Sequence, residues 1–212
     1  MTYGEVKRMA LRLAFTDTIA GDQIPDTYNN QADYTNQIPG LIDSALMDIV
    51  TRAKHIPALV DLDDLESTEQ GAFTIYTMPY GYQDMMHGGL IATTRDGYSG
   101  EDRIIRYRGY RLIGGQLYIP RNAPQHMQME YWRYPTSVGS DPDDFQQLDG
   151  TPDMHPAIPY YVAAQLCMYD DAFRYQALRN EYETKIALLH DPVFVEEEPI
   201  NDVYNFGGGA WW

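Results

Sequence analysis

A chain of 212 residues with 44% hydrophobic content is long enough for one ordinary core, or for one core with a sizeable inserted subdomain, and its composition excludes a disordered polypeptide. Its 31 acidic residues against 15 basic give a net charge of −16, which argues against a general nucleic-acid binder and against docking to anionic membranes, since both rely on Lys and Arg. No stretch reaches the roughly 18 uninterrupted apolar residues of a membrane-spanning helix, and MTYGEVKRMALRLAF lacks the apolar core and cleavage site of a signal peptide, so cytoplasmic assembly with no membrane partner is expected.

Thr2 and Glu5, three residues apart, form a capping-box pattern, and Val6, Met9, Ala10 and Leu13 follow at helical spacing, so a short amphipathic helix is predicted first. After a polar stretch, a second helix is predicted from Pro39, a favoured first-turn residue, through Leu41, Ile42, Ala45, Leu46, Ile49, Val50 and Ala53, ending before Pro57. From 72 to 134 the period shortens to that of strands. Phe73, Ile75 and Thr77 alternate, 103–108 reads RIIRYR, and Gly114-Gly115 lies between two apolar runs as in a hairpin. Met127, Met129 and Tyr131 alternate with Gln128, Glu130 and Trp132, the pattern of a half-buried strand. About 20 residues then carry Asp141, Asp143, Asp144, Asp149 and Asp153 with Pro142 and Pro152, and loops of that length tend to be functional or mobile.

A long helix is predicted over 155–189. Tyr161, Met168, Tyr175, Tyr182 and Leu189 recur every seventh residue, with Leu178 and Ile186 beside them, so one face is apolar over about nine turns. Unbroken, about 32 residues make a rod of roughly 48 Å, and Asp170-Asp171 is the one candidate break, because aspartate prefers caps to helix interiors. The helix stops at Asp191-Pro192, and 192–212 reads as an extended arm.

Motifs for chemistry fail on inspection. DPDDFQQLDGTP departs from a calcium loop at Phe145, at Gln146 where the turn needs glycine, and at Pro152 in place of a bidentate glutamate. The five histidines include no i to i+4 pair, and neither Gly88-Gly89 nor Gly114-Gly115 belongs to a phosphate-binding fingerprint. Ser99 lacks the spacing of a nucleophile elbow, and the single cysteine, Cys167, reads as a small buried hydrophobe. Glu130, with His126 on its own strand face, is the best candidate for a glycosidase-type carboxylate. No catalytic, cofactor or metal site is expected.

Interface signals are stronger. Eighteen tyrosines supply large contact area with a polar handle. Within 95–121, Arg95, Arg103, Arg106, Arg108, Arg111 and Arg121 stand against Asp96, Glu101 and Asp102, a local +3 inside the acidic chain. Arg103, Arg106, Arg108 and Arg111 are therefore expected to dock an acidic partner, with the 141–153 loop of a neighbouring copy as one option. Trp211 and Trp212, behind three glycines and with Tyr204 and Phe206 nearby, are expected anchors of a second interface.

The run PAIPYYVAAQLCMYDDAFRYQALRNEYETKIALL resembles the C-terminal helix of tailed-bacteriophage head-to-tail connector proteins, the neck or adaptor class that includes the tail-tubular type. Its proline-flanked start, the Tyr-x-Ala-Ala run at 161–164, the acidic pair Asp170-Asp171 and the Asn-Glu-Tyr element at 180–182 carry the resemblance, and QIPGLIDSALMDIVTRA looks like the N-terminal helix of that class. The resemblance implies an α+β fold: a helical bundle of 1–60 plus 155–191, a β-rich insert at 70–135, an acidic loop at 136–154 and the extended C-terminal arm. It also implies a virion protein without enzymatic activity, assembled as a homo-oligomeric ring, usually of twelve copies, between portal protein and a tail or second connector protein. DNA would pass through the channel without specific binding, and Asp141, Asp143, Asp144 and Asp149 are candidate channel-lining residues. The alternatives are a virion carbohydrate- or receptor-binding module, suggested by Tyr131, Trp132 and Tyr134, and a glycosidase-type enzyme resting on Glu130.

Overall fold

The Thr2 and Glu5 spacing forms a complete capping box in a computed structural model of the protein, which describes residues 1–15, 31–95, 102–124 and 126–189. The Thr2 hydroxyl accepts from the Glu5 N–H at 3.2 Å while the Glu5 carboxylate accepts from the Thr2 N–H at 2.9 Å, satisfying two donors that a helix start leaves open. Helix α1 (Tyr3–Ala14) follows and buries Val6, Ala10, Leu11 and Ala14 along one stripe.

Helix α2 (Gln31–Arg52) starts about two turns before Pro39, so the predicted start is displaced and the proline lies inside the helix. Proline there forfeits a backbone hydrogen bond. Packing offsets the loss: Tyr34, in the early turns, meets the Phe15 ring edge-on at 5.5 Å and its hydroxyl donates to Asp170. Beyond the proline, Ile42, Ala45, Leu46, Ile49 and Val50 are fully buried at helical spacing.

The 155–189 segment is two helices, not one rod. A 3-10 turn (His155–Ala157) leads into α3 (Ile158–Cys167), the chain turns through 168–170, and α4 (Ala172–Ala187) restarts on Asp171. The Asp171 carboxylate accepts from the Arg174 N–H at 2.9 Å, so the residue suited to capping ends one helix and begins another. Helix α3 is apolar almost all round, with Ile158, Val162, Ala163, Ala164, Leu166 and Cys167 buried, and α1, α2 and α4 all pack against it. Cys167 donates to the Ala14 carbonyl at 3.4 Å, and burial pushes its thiol up to about 11, the wrong direction for a nucleophile. Helix α4 is tied to α2 by Tyr182, fully buried, whose hydroxyl donates to Asp48 at 2.7 Å. Arg52 extends this joint by bridging Asp48 and Glu183.

Among the described residues, eight strands form two antiparallel sheets. The first has the order β1 (Ile56–Asp61), β8 (Met127–Arg133), β4 (Tyr82–Arg95), β5 (Asp102–Tyr107); the second has the order β2 (Ser67–Gln70), β3 (Phe73–Thr77), β7 (Gln116–Pro120), β6 (Arg111–Ile113). The predicted hairpin is β6–β7, whose Gly114 and Gly115 hold φ of 59° and 75°. A shared cluster lies between the sheets, with Leu90, Ala92, Met127, Met129 and Tyr131 from one and Leu117 and Ile119 from the other. Alternation in β8 sends Met127, Met129 and Tyr131 inward, as its pattern predicts.

This architecture corrects the expected helical bundle of chain ends. The fold is mixed α+β, with four helices of 12, 22, 10 and 16 residues and two antiparallel sheets, and strands occupy the middle of the chain. The helices are too short for a bundle of rods, because Asp171 divides the longest expected one, and the strands bury a core of their own. The expected C-terminal arm lies outside the described residues. No helix among the described residues is long and apolar enough to cross a membrane.

An ion pair ties the first sheet to the segment that follows β8. Arg133, the last residue of β8, donates through both terminal nitrogens to Asp149 at 2.5 and 2.6 Å, and Asp149 also accepts from the Thr136 and Gly150 N–H groups. The Asp149 carbonyl accepts from Nε2 of His155, whose Nδ1 accepts from the Met1 amino nitrogen at 2.8 Å. Burial works against the charge on Asp149, but Arg133 and the two N–H groups outweigh it and hold the carboxyl well below its usual range. Burial also lowers His155. Both groups bind protons more readily unfolded, so each contributes stability that is present above its unfolded value and lost as pH falls below it. Stability should therefore decline in two stages, below pH about 6.5 from His155 and below about 4 from Asp149. Urea unfolding across pH should show both, with His155→Gln removing the first and Asp149→Asn flattening the second. Arg133→Met at pH 7 should cost about 2–4 kcal/mol, since it strands a half-buried carboxylate.

Candidate interaction surfaces

After β8 the chain crosses back over the helices as a strap, 134–154, rather than as a free loop. Asp43 of α2 accepts from the Val138 N–H at 2.8 Å and from the Ser137 hydroxyl. The N-terminal residues pair with the strap through Tyr3 N–H to the Gln146 carbonyl at 2.9 Å, Gly4 N–H to Asp144 at 3.0 Å and Leu148 N–H to Met1 at 3.1 Å. Val138, Leu148 and Met154 enter the helical core, so the strap is held by apolar side chains as well as by backbone hydrogen bonds.

That anchoring sorts the acids. Asp149 is turned inward onto Arg133, and Asp153 is taken by Lys54 and Thr151. Asp143 accepts from the Phe145 N–H at 2.7 Å and, through its carbonyl, from the Gln146 N–H at 2.9 Å, closing a tight turn. Asp144 lies 3.6 Å from Lys7, and Asp141 is exposed. Asp141, Asp143 and Asp144 thus share one exposed turn, while the fourth channel-lining candidate, Asp149, is occupied in the fold. Phe145 projects from that turn at 86% exposure.

The arginines collect elsewhere. Strands β5 and β6 are each the last strand of their sheet, and the β5 edge with the 108–110 link that follows it forms an arginine-bearing rim. Inward alternation places Ile105 and Tyr107 in the core and leaves Ile104 and Arg106 outside. The Arg106 guanidinium lies 3.7 Å from Glu130, Arg108 is exposed in the link, and Arg111 stacks over Phe73 with its guanidinium 6.0 Å from the ring centroid. Arg103 sits opposite Thr94 in the β4–β5 ladder. Ile104 is exposed beside Arg106 on the outer face of the first sheet, while Ile113 is exposed beside Arg111 on the outer face of the second. Charged residues on edge strands guard against unwanted strand pairing. An exposed isoleucine beside Arg106 exceeds what that guard needs.

Other expected sites fare differently. Tyr204, Phe206, Trp211 and Trp212 lie outside the described residues. Tyr131, Trp132 and Tyr134 form no common aromatic platform, because the strand register turns Tyr131 inward, stacked on Tyr82 at 5.9 Å, and Trp132 toward His55. Glu130 faces Arg106. A shallow cleft lined by Asp61, Asp63, Asp64 and His126 holds a His126–Asp63 contact at 3.0 Å, but no group of three or more side chains among the described residues is arranged to hold a metal ion. Sequence reasoning missed Phe145 as a surface feature. An aromatic residue directly after three acids and a proline was the available signal.

No protein-family model matches the chain, and no curated protein matches its sequence.

The anchoring of the strap and the exposure of its tip separate by mutation. A Cβ on Gly4 would lie 2.8 Å from the Asp144 carbonyl oxygen, so Gly4→Ala must displace the turn and should cost about 1–3 kcal/mol in urea unfolding. Phe145→Ala should alter stability by no more than about 0.5 kcal/mol, because its ring packs against little of its own chain.

Proposed function

We propose that this protein is a structural virion component, a head-to-tail connector or adaptor subunit of a tailed bacteriophage. It assembles as a homo-oligomeric ring between the portal and a tail or second connector protein, and carries no catalytic site. The observation that carries this reading is the presence of two exposed surfaces of opposite charge on different parts of one chain, the acidic turn around Phe145 and the arginine rim of β5 and the 108–110 link. Distinct complementary patches favour head-to-tail contacts, which close into rings when the rotation allows. The rim is the far edge of a sheet whose opposite edge strand, β1, sends Ile56 into the helical core; three strand spacings, about 14 Å, separate those edges. The resemblance of 156–189 and 37–53 to connector helices supports the same reading, although the bundle it implied is replaced by shorter helices and two sheets.

A net charge of −16 suits a channel that passes DNA, because acidic walls give phosphates nothing to bind. The protein therefore contacts DNA without retaining it, takes no cofactor, and resides in the neck or tail region of a virion assembled in the host cytoplasm.

Negative-stain microscopy tests the reading on the full chain, alone and mixed with purified tailed-phage portal proteins. Rings, or portals capped by an added ring, are expected, with no retardation of duplex DNA in native gels at physiological salt. Particles that remain single subunits in both samples, or a chain that retains DNA or binds an array of glycans, would count against it.

A further inference from the structure

We propose that the Phe145 turn of one copy docks on the arginine rim of the next, Phe145 covering Ile104 while Asp141 and Asp143 face Arg106 and Arg108. The inference rests on the ring reading and assigns the subunit contact within it. It places these aspartates between copies rather than on the channel wall.

The turn is built for insertion. Its backbone is fixed on one side by Gly4 and on the other by the Asp143 carboxylate, so little ordering entropy remains to be lost on binding. It nevertheless leaves a phenylalanine 86% exposed, the kind of rigid aromatic anchor on which interface energy concentrates. Three carboxylates within four residues surround that ring. The rim is their complement: Ile104 is 64% exposed, with Arg106 on the same strand face and Arg108 exposed in the link that follows. Arg106 already lies near Glu130, and a guanidinium so placed can stack on an incoming ring and fork onto a carboxylate. Turn and rim belong to different elements, the strap over α1 and the free edge of the first sheet. A copy offers one of each, so the contact is heterologous and repeats around a ring.

Charge exchange tests this directly. Asp141 is the acid to change, because Asp143 closes the turn and Asp144 touches Lys7. In the full chain, Asp141→Arg and Arg108→Glu should each weaken self-association at least about tenfold by sedimentation velocity, and the double variant should recover most of it. Phe145→Ala should weaken it at least as much, and unchanged thermal unfolding confirms that each variant folds. A photoreactive benzoyl-phenylalanine at position 145 should crosslink to 103–113 of a second copy. Rings that form regardless of all these changes, with crosslinks elsewhere, would overturn this contact and leave the ring standing. Filaments or dimers crosslinked from 145 to the rim would uphold the contact and sink the ring. A chain that stays monomeric at every concentration, without crosslinks, would overturn both.

Discussion

The pair between Arg133 and Asp149 is the constraint on which the remaining structure depends. It joins the final strand of the larger sheet to the strap, and through the Asp149 carbonyl and His155 it reaches both the start of α3 and the N-terminal residues. Removing two charges from water is costly, and such a pair stabilises a fold only when its remaining donors and acceptors are also used. Here they are: the guanidinium bonds twice, and the carboxylate accepts from Thr136 and Gly150 as well. Its geometry sets the angle at which the strap leaves the sheet. Everything the strap then touches follows from that angle.

Around this joint the chain maintains two separate cores with different packing rules. The helical core is built on α3, whose paired alanines 163 and 164 let neighbouring backbones approach closely. The sheet core is made by alternating residues of two faces, with methionines 127 and 129 filling between them. Ile56, the first residue of β1, belongs to the helical core while Ala58 and Val60 pack in the other, so a single strand crosses from one to the other. The candidate interaction surfaces lie at the extremities of these units: the turn where the strap passes α1, and the rim where the first sheet runs out of partners.

Much of the local structure was legible in the residues. Thr2 with Glu5, Gly114 with Gly115, and the alternation of Met127 and Met129 each specify their geometry within a few positions, and each forms as the pattern implies. What was not legible depends on distant parts of the chain. The seven-residue stripe continues through Met168, yet that residue is exposed in the turn between α3 and α4, because Asp171 caps more favourably than it extends. The early start of α2 depends on Tyr34 finding Phe15 and Asp170. The acidic segment looked like a loop because nothing in its sequence announces that its partners are Met1, Tyr3, Gly4 and Asp43. The arginines were visible as a cluster, but the division of Arg106 and Arg111 between the outer faces of two sheets needs the strand register of both.

That strand order bears on how the chain is made. Strand β7 enters between β3 and β6, and β8 enters between β1 and β4, so in each sheet a late strand is inserted between earlier ones. During synthesis the local hairpins β2–β3, β4–β5 and β6–β7 can pair early, whereas β1 waits for a partner some seventy residues downstream. Because β8 ends in Arg133, the strand that completes the larger sheet also supplies the guanidinium that fastens the strap. Closure of the sheets and docking of the helices are therefore one event, reached only after most of the chain has been synthesised. Half-made chains carry open strand edges until then, and the finished chain gains its interaction surfaces and its stability together.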